Sequence, residues 1–99
     1  MSSRTLLISY DLGGPVRNYP LLFEQIKSYN GSAPVLESLW LVTTDKTPAT
    51  VRDELNAKMD ANDKVLVMDV TNDAWATNFT DANTEWMHKH VIRSLGLAA

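Results

Sequence analysis

The chain of 99 residues contains no cysteine, so it can carry neither a disulfide framework nor a thiolate metal site. Cations are few and dispersed. Nine Lys and Arg stand against twelve Asp and Glu, a net charge of -3, and Arg4, Arg17, Lys27, Lys46, Arg52, Lys58, Lys64, Lys89 and Arg93 form no run. Gripping a nucleic-acid backbone relies on clustered positive charge, so this pattern argues against a constitutive nucleic-acid binder. It leaves room for an enzyme that touches such a substrate briefly. No apolar run is long enough to span a bilayer, and Met1-Ser2-Ser3-Arg4 leads straight into a strand without a signal-peptide pattern, so the expectation is a cytoplasmic protein with no membrane partner. Repeats, linkers and low-complexity stretches are also missing from the sequence.

What is present is the composition of an ordinary globule, 44% hydrophobic and 21% charged, at a length that suits one core. The expectation is a single domain over 1–99, with 75–99 as a C-terminal extension. Thr5 to Asp11 alternates, with Leu6, Ile8 and Tyr10 on the face expected to meet helices. Tyr19, Leu22, Phe23 and Ile26 recur at helical spacing; Asn18 is placed to cap that helix, Pro20 suits its first turn and Asn30-Gly31 ends it. Pro34 to Thr44 reads as one long strand or as a hairpin turning near Glu37-Ser38. Thr47 caps and Pro48 opens a second helix with Val51, Leu55 and Met59 in line, and a strand follows from Lys64 to Thr71. Ala74 to Phe79 reads as a short edge strand or a turn. Thr80 or Asp81 then caps a last helix in which Met87, Val91 and Leu95 share a stripe and Gly96 stops it.

Two architectures fit this order. With a hairpin it is an α+β ferredoxin-like sandwich, an antiparallel sheet with helices on one face plus a C-terminal helix; without one it is a three-stranded parallel α/β sheet. The break at Leu36-Glu37-Ser38 favours the sandwich.

In the sandwich the first strand is central, and its last residue, Asp11, is brought toward Ser38, Asp63-Lys64 and the Gly13–Asn18 loop that carries Arg17. Asp11 then has two readings. It holds Mg²⁺ or positions water, with a two-fold dimer supplying the second carboxylate that a lone one lacks. Or it pairs with Lys64 across the strands, and Gly13-Gly14-Pro15 only turns the chain. Asp69, at the far end of its strand, is expected to pair with Arg4.

Tyr10-Asp11-Leu12 closing the first strand, Pro15, Asn18-Tyr19, Ser38 with Trp40, Asn62-Asp63 and Trp75 together resemble the SinR-like group of small proteins, often assigned to the small nuclease-like subunit of the CRISPR spacer-integration complex. The resemblance covers roughly residues 4 to 76. It implies a ferredoxin-like homodimer and a metal-dependent phosphodiesterase acting on RNA or DNA, with Asp11 as the catalytic, Mg²⁺-binding residue. Tyr10, Arg17, Asn18, Ser38 and Trp40 are the candidate binding residues around it. Where that family usually has a basic stretch after the aspartate, this chain has Gly13-Gly14-Pro15-Val16 and a single Arg17. The alternative is a non-catalytic dimeric module that interacts with protein or joins a nucleic-acid assembly.

Other constellations are weaker. His88 and His90 lie two apart on a helix and cannot share a metal. Gly13-Gly14 lacks the third glycine or Lys-Ser/Thr of a phosphate loop. Trp40, Trp75 and Trp86 can stack bases but also serve as core or interface residues.

Overall fold

A computed structural model describes residues 3–79 and 82–91. Strand β1 (Arg4–Asp11) runs through the middle of one four-stranded sheet. A single 3-10 turn (Val16–Asn18) leads from it into α1 (Pro20–Lys27). Strands β2 (Gly31–Leu36) and β3 (Leu39–Thr44) form the hairpin, turning at Glu37-Ser38. Helix α2 (Pro48–Asn56) leads to β4 (Lys64–Asp69), and α3 (Ala82–His90) ends the described chain.

The sheet order is β2-β3-β1-β4 with every neighbouring pair antiparallel, so each β–α–β crossover spans an intervening strand. This is the ferredoxin-like α+β arrangement, and the parallel three-stranded sheet is ruled out. The register places Ile8 between Trp40 and Val67, and Asp11 opposite Lys64.

Strand alternation divides the side chains between two faces. One face takes Leu6, Ile8 and Tyr10 of β1 with Trp40 and Val42 of β3, and packs them against Leu22 and Ile26 of α1 and Val51 and Leu55 of α2. Both helices present their buried pairs at i, i+4, the spacing that makes one apolar stripe. Thr47 caps α2 as the sequence implies, its Oγ1 accepting the Thr50 N–H at 3.2 Å. Asn18 does not cap α1. The N-cap position belongs to Tyr19, with no side-chain cap, because the 3-10 turn takes up Asn18, whose N–H donates to the Pro15 carbonyl at 2.9 Å.

The other face carries Ala33, Val35 and Leu41, covered by Met87 and Val91, with Trp75, Phe79 and Trp86 packed at the margin. The described part of the C-terminal extension, 75–79 and 82–91, therefore packs on this face of the sheet. Ala74 to Phe79 forms no strand; it crosses the face as irregular chain. Two side chains fasten the end of α3. The Trp75 indole donates to the Val91 carbonyl at 2.6 Å, and the Thr5 hydroxyl donates to the His90 carbonyl. Such bonds satisfy carbonyls that a helix terminus leaves open. At the sheet's β2 side, Pro34 has no N–H and its carbonyl accepts from the Asn83 amide at 3.1 Å. Met87 and Val91 share the expected stripe, whereas Thr80, Asp81, Leu95 and Gly96 lie outside the described residues.

Candidate functional site at the end of the central strand

Asp11 is the last residue of β1 and is exposed. Because cross-strand partners share a face, its side chain emerges on the same side of the sheet as Lys64, Ser9, Leu66, Leu7 and Met68. The α3 side of that face is covered, whereas Leu66 and Met68 remain 54% and 48% exposed, so the β4 half is bare apolar surface. Ser9, Tyr10, Asp11, Lys64, Val65 and Leu66 line a shallow depression of about 230 Å³. A larger apolar groove of about 560 Å³ lies farther across the same face, between Leu7, Leu36, Leu39 and Leu41 on its floor and Phe79 and Met87 on its wall.

The ion pair between Asp11 and Lys64 does not form. They are register partners, but among the described residues the salt bridges are Arg4–Asp69, Lys46–Glu54 and Arg52–Asp53. Both side chains are exposed, and an ion pair between two hydrated groups gains little over water. The expected Arg4–Asp69 pair is present at 3.1 Å.

The remaining residues of the expected cluster separate into two sets. Ser38 is close through its backbone, its carbonyl accepting the Tyr10 N–H at 3.2 Å, and its exposed side chain makes no bond to Asp11. Arg17 and Asn18 are exposed on the 3-10 turn of the loop that follows Asp11. Tyr10 and Trp40 are different. Each is 8% exposed and packed in the helix-covered core, where the Trp40 indole donates to the Tyr10 hydroxyl at 3.2 Å. Phe23 lies against both rings, with centroids 5.8 Å from Tyr10 and 6.4 Å from Trp40. These two aromatics hold the end of β1 from beneath, with little ring surface open for stacking. Trp75 and Trp86 are also engaged, against the rings of His88 and His90 at 5.0 and 4.4 Å.

The carboxylate that organises this end of the sheet is Asp63. Its Oδ1 accepts the Gly13 N–H at 2.7 Å and the Tyr19 hydroxyl at 3.0 Å, and its Oδ2 accepts the Asp60 N–H at 2.8 Å. The Gly13 N–H, then the Asp60 N–H and the Tyr19 hydroxyl, hold the Asp63 carboxyl below the usual carboxylate range against some desolvation. Desolvation, followed by the bond to Asp63, pushes the Tyr19 phenol up, so it remains a neutral donor. Sequence reading places Asp63 near the site only as half of a turn. A turn is legible in Asn62-Asp63 ahead of a strand, but the long-range partners of Asp63, 44 and 50 residues away, are not.

Among the described residues no three His, Cys, Asp or Glu side chains converge as a metal site. Mg²⁺ is commonly held by one or two carboxylates completed by water and substrate phosphate. Asp11 offers one such carboxylate, while that of Asp63 is already engaged by three donors. No described helix is long and apolar enough to cross a membrane.

The chain matches no family model, no curated protein and no solved structure.

Proposed function

We propose that the chain acts as a homodimer in which two copies of Asp11, one from each subunit, hold a divalent cation such as Mg²⁺ for phosphodiester cleavage of RNA or DNA. The observation that carries this reading is the position of Asp11. It is an exposed carboxylate without a side-chain partner, at the end of the central strand and on the same face as the bare side chains of Leu66 and Met68. A second copy set two-fold on that face covers apolar surface and draws the two strand ends together. When bound, the ion supplies Lewis acidity and an activated water to the phosphodiester. The chain's own residues divide the remaining work: Asp11 holds the ion, and Arg17, on the exposed loop, meets phosphate charge.

Labelled RNA and DNA incubated with the protein and Mg²⁺ or Mn²⁺, beside Asp11→Ala, test the reading directly. Cleavage by wild type that disappears in the variant is expected; cleavage that survives in the variant, or is absent throughout, overturns it.

A second reading, a dimeric interaction module without catalysis, draws on the same bare face and on the net charge of -3. Sedimentation separates the two. Loss of self-association in Leu66→Lys with no cleavage by wild type favours the module, whereas a strict monomer at micromolar concentration overturns both.

A further inference from the structure

We propose that Asp63 is a positioning residue: its carboxylate fastens the loop leaving β1 and thereby sets where Asp11 and Arg17 stand. The functional weight of this role rests on the reading of Asp11 given above.

The backbone ladder between β1 and β4 ends at Asp11 and Lys64. Past that point the Asp63 side chain takes over from backbone pairing. It receives the N–H of Gly13, two residues beyond Asp11, and through the same oxygen the hydroxyl of Tyr19, one residue before α1. Its other oxygen receives Asp60 N–H and closes the turn that leads into β4. One carboxylate therefore binds both ends of the Gly13–Tyr19 loop to the start of a neighbouring strand. A turn-forming aspartate needs only the local bond to Asp60. The long-range pair on Oδ1 is additional, and it points at the segment that carries the candidate site.

The glycines show why such a fastening is needed. Neither Gly13 nor Gly14 has a positive φ, so neither is required for a left-handed turn. A Cβ on Gly13 would meet Asp63 Oδ1 at an ordinary 3.5 Å. Their freedom thus loosens the segment without shaping it, and ordering it is costly in entropy. The charge-assisted bonds to Asp63 offset that cost at the residues adjoining Asp11.

The test is nuclear magnetic resonance on the full chain, comparing wild type with Asp63→Asn, Asp63→Ala and Tyr19→Phe. In Asp63→Ala the Gly13 amide is expected to exchange at least about tenfold faster, with Asn intermediate because it keeps an oxygen acceptor. The Leu12 to Asn18 amides and the Asp11 side-chain signals shift with it. In wild type the Gly13 amide follows pH with a midpoint below the usual carboxylate range, and in Asp63→Asn that titration is absent. A change of fold alone would not produce this difference in pH profile. Unchanged Gly13 exchange, or unmoved Asp11 signals, in the Asn and Ala variants overturns the proposal; should Asp63→Ala fail to fold, the Asn and Tyr19→Phe variants decide it. Mg²⁺ titration followed at Asp11 separates the two ideas. No response in wild type defeats the metal reading, while the positioning role is judged on the Gly13 and Asp11 signals in metal-free protein.

Discussion

Asp11 and Lys64 face each other across β1 and β4, yet their charged ends do not pair. Each remains exposed and available to something outside the chain. Asp11→Ala and Lys64→Ala should therefore each change folding stability by no more than about 0.5 kcal/mol. Urea denaturation of the two single variants and the double variant checks this, and a coupling above that level would show an ion pair in solution.

Tyr10→Phe should be costly for so small a change. It removes the acceptor of the Trp40 indole N–H inside the core, at a cost of about 1–3 kcal/mol. The same substitution leaves the apolar packing against Phe23 in place. A loss of stability with Trp40 fluorescence still that of a buried ring is the expected pattern.

Acid should weaken the fold through carboxylates held by specific donors. Lys46, then Tyr29, draws the Glu54 carboxyl down; the Thr71 hydroxyl and N–H, then Arg4, do the same for Asp69; and Asp63 is lowered as described. A group whose pKa is depressed in the folded state contributes stability above its unfolded pKa, and this is lost as pH falls through the folded value. The melting temperature should be level near neutrality and fall below the ordinary carboxylate range. Glu54→Gln should flatten that fall in scans from pH 6 to pH 2.

Gly31 faces a different constraint. A Cβ there would stand 2.7 Å from the Thr43 Oγ1, with the Trp86 ring 3.6 Å away. Thr43 is buried and has little room to turn. Gly31→Ala should cost about 1–3 kcal/mol through overpacking, and chemical denaturation would detect it. Thr43→Ala in the same chain should recover part of the loss.

Trp75→Phe keeps a ring on the second sheet face but deletes the donor to the Val91 carbonyl. The expected loss is about 0.5–1.5 kcal/mol, concentrated in faster amide exchange along α3 and not in the central strands. Equal acceleration everywhere would contradict the role given to this bond.

The fold was legible where periodicity and turn chemistry agreed. Leu6-Ile8-Tyr10 alternation, Thr47-Pro48 at the head of α2 and the polar break at Glu37-Ser38 give the elements and favour the ferredoxin-like order, because each is a local signal. The site was legible only in outline. Topology brings Asp11 to Lys64, but whether two exposed charges pair depends on rotamers and hydration, which spacing does not encode. Tyr10 was expected on the helix-covered face, and Trp40 was open to stacking as well as to burial. Strand parity decides their face, and the helices on that face decide their fate. Asn18 failed as a cap because a 3-10 turn precedes α1, and no pattern in Val16-Arg17-Asn18 announces it. Asp63 was hidden for a further reason: its bonds join segments that only the finished sheet makes neighbours.

Pro34 has a consequence beyond its own strand. β2 and β4 are the two rims of the sheet. At Pro34 the β2 rim has no donor to offer, and its acceptor is already engaged by Asn83. β4 has no proline and carries charges only at its ends, Lys64 and Asp69. The β2 rim is therefore interrupted at Pro34, whereas no proline interrupts β4, so a strand added to this sheet would meet less obstruction beside β4.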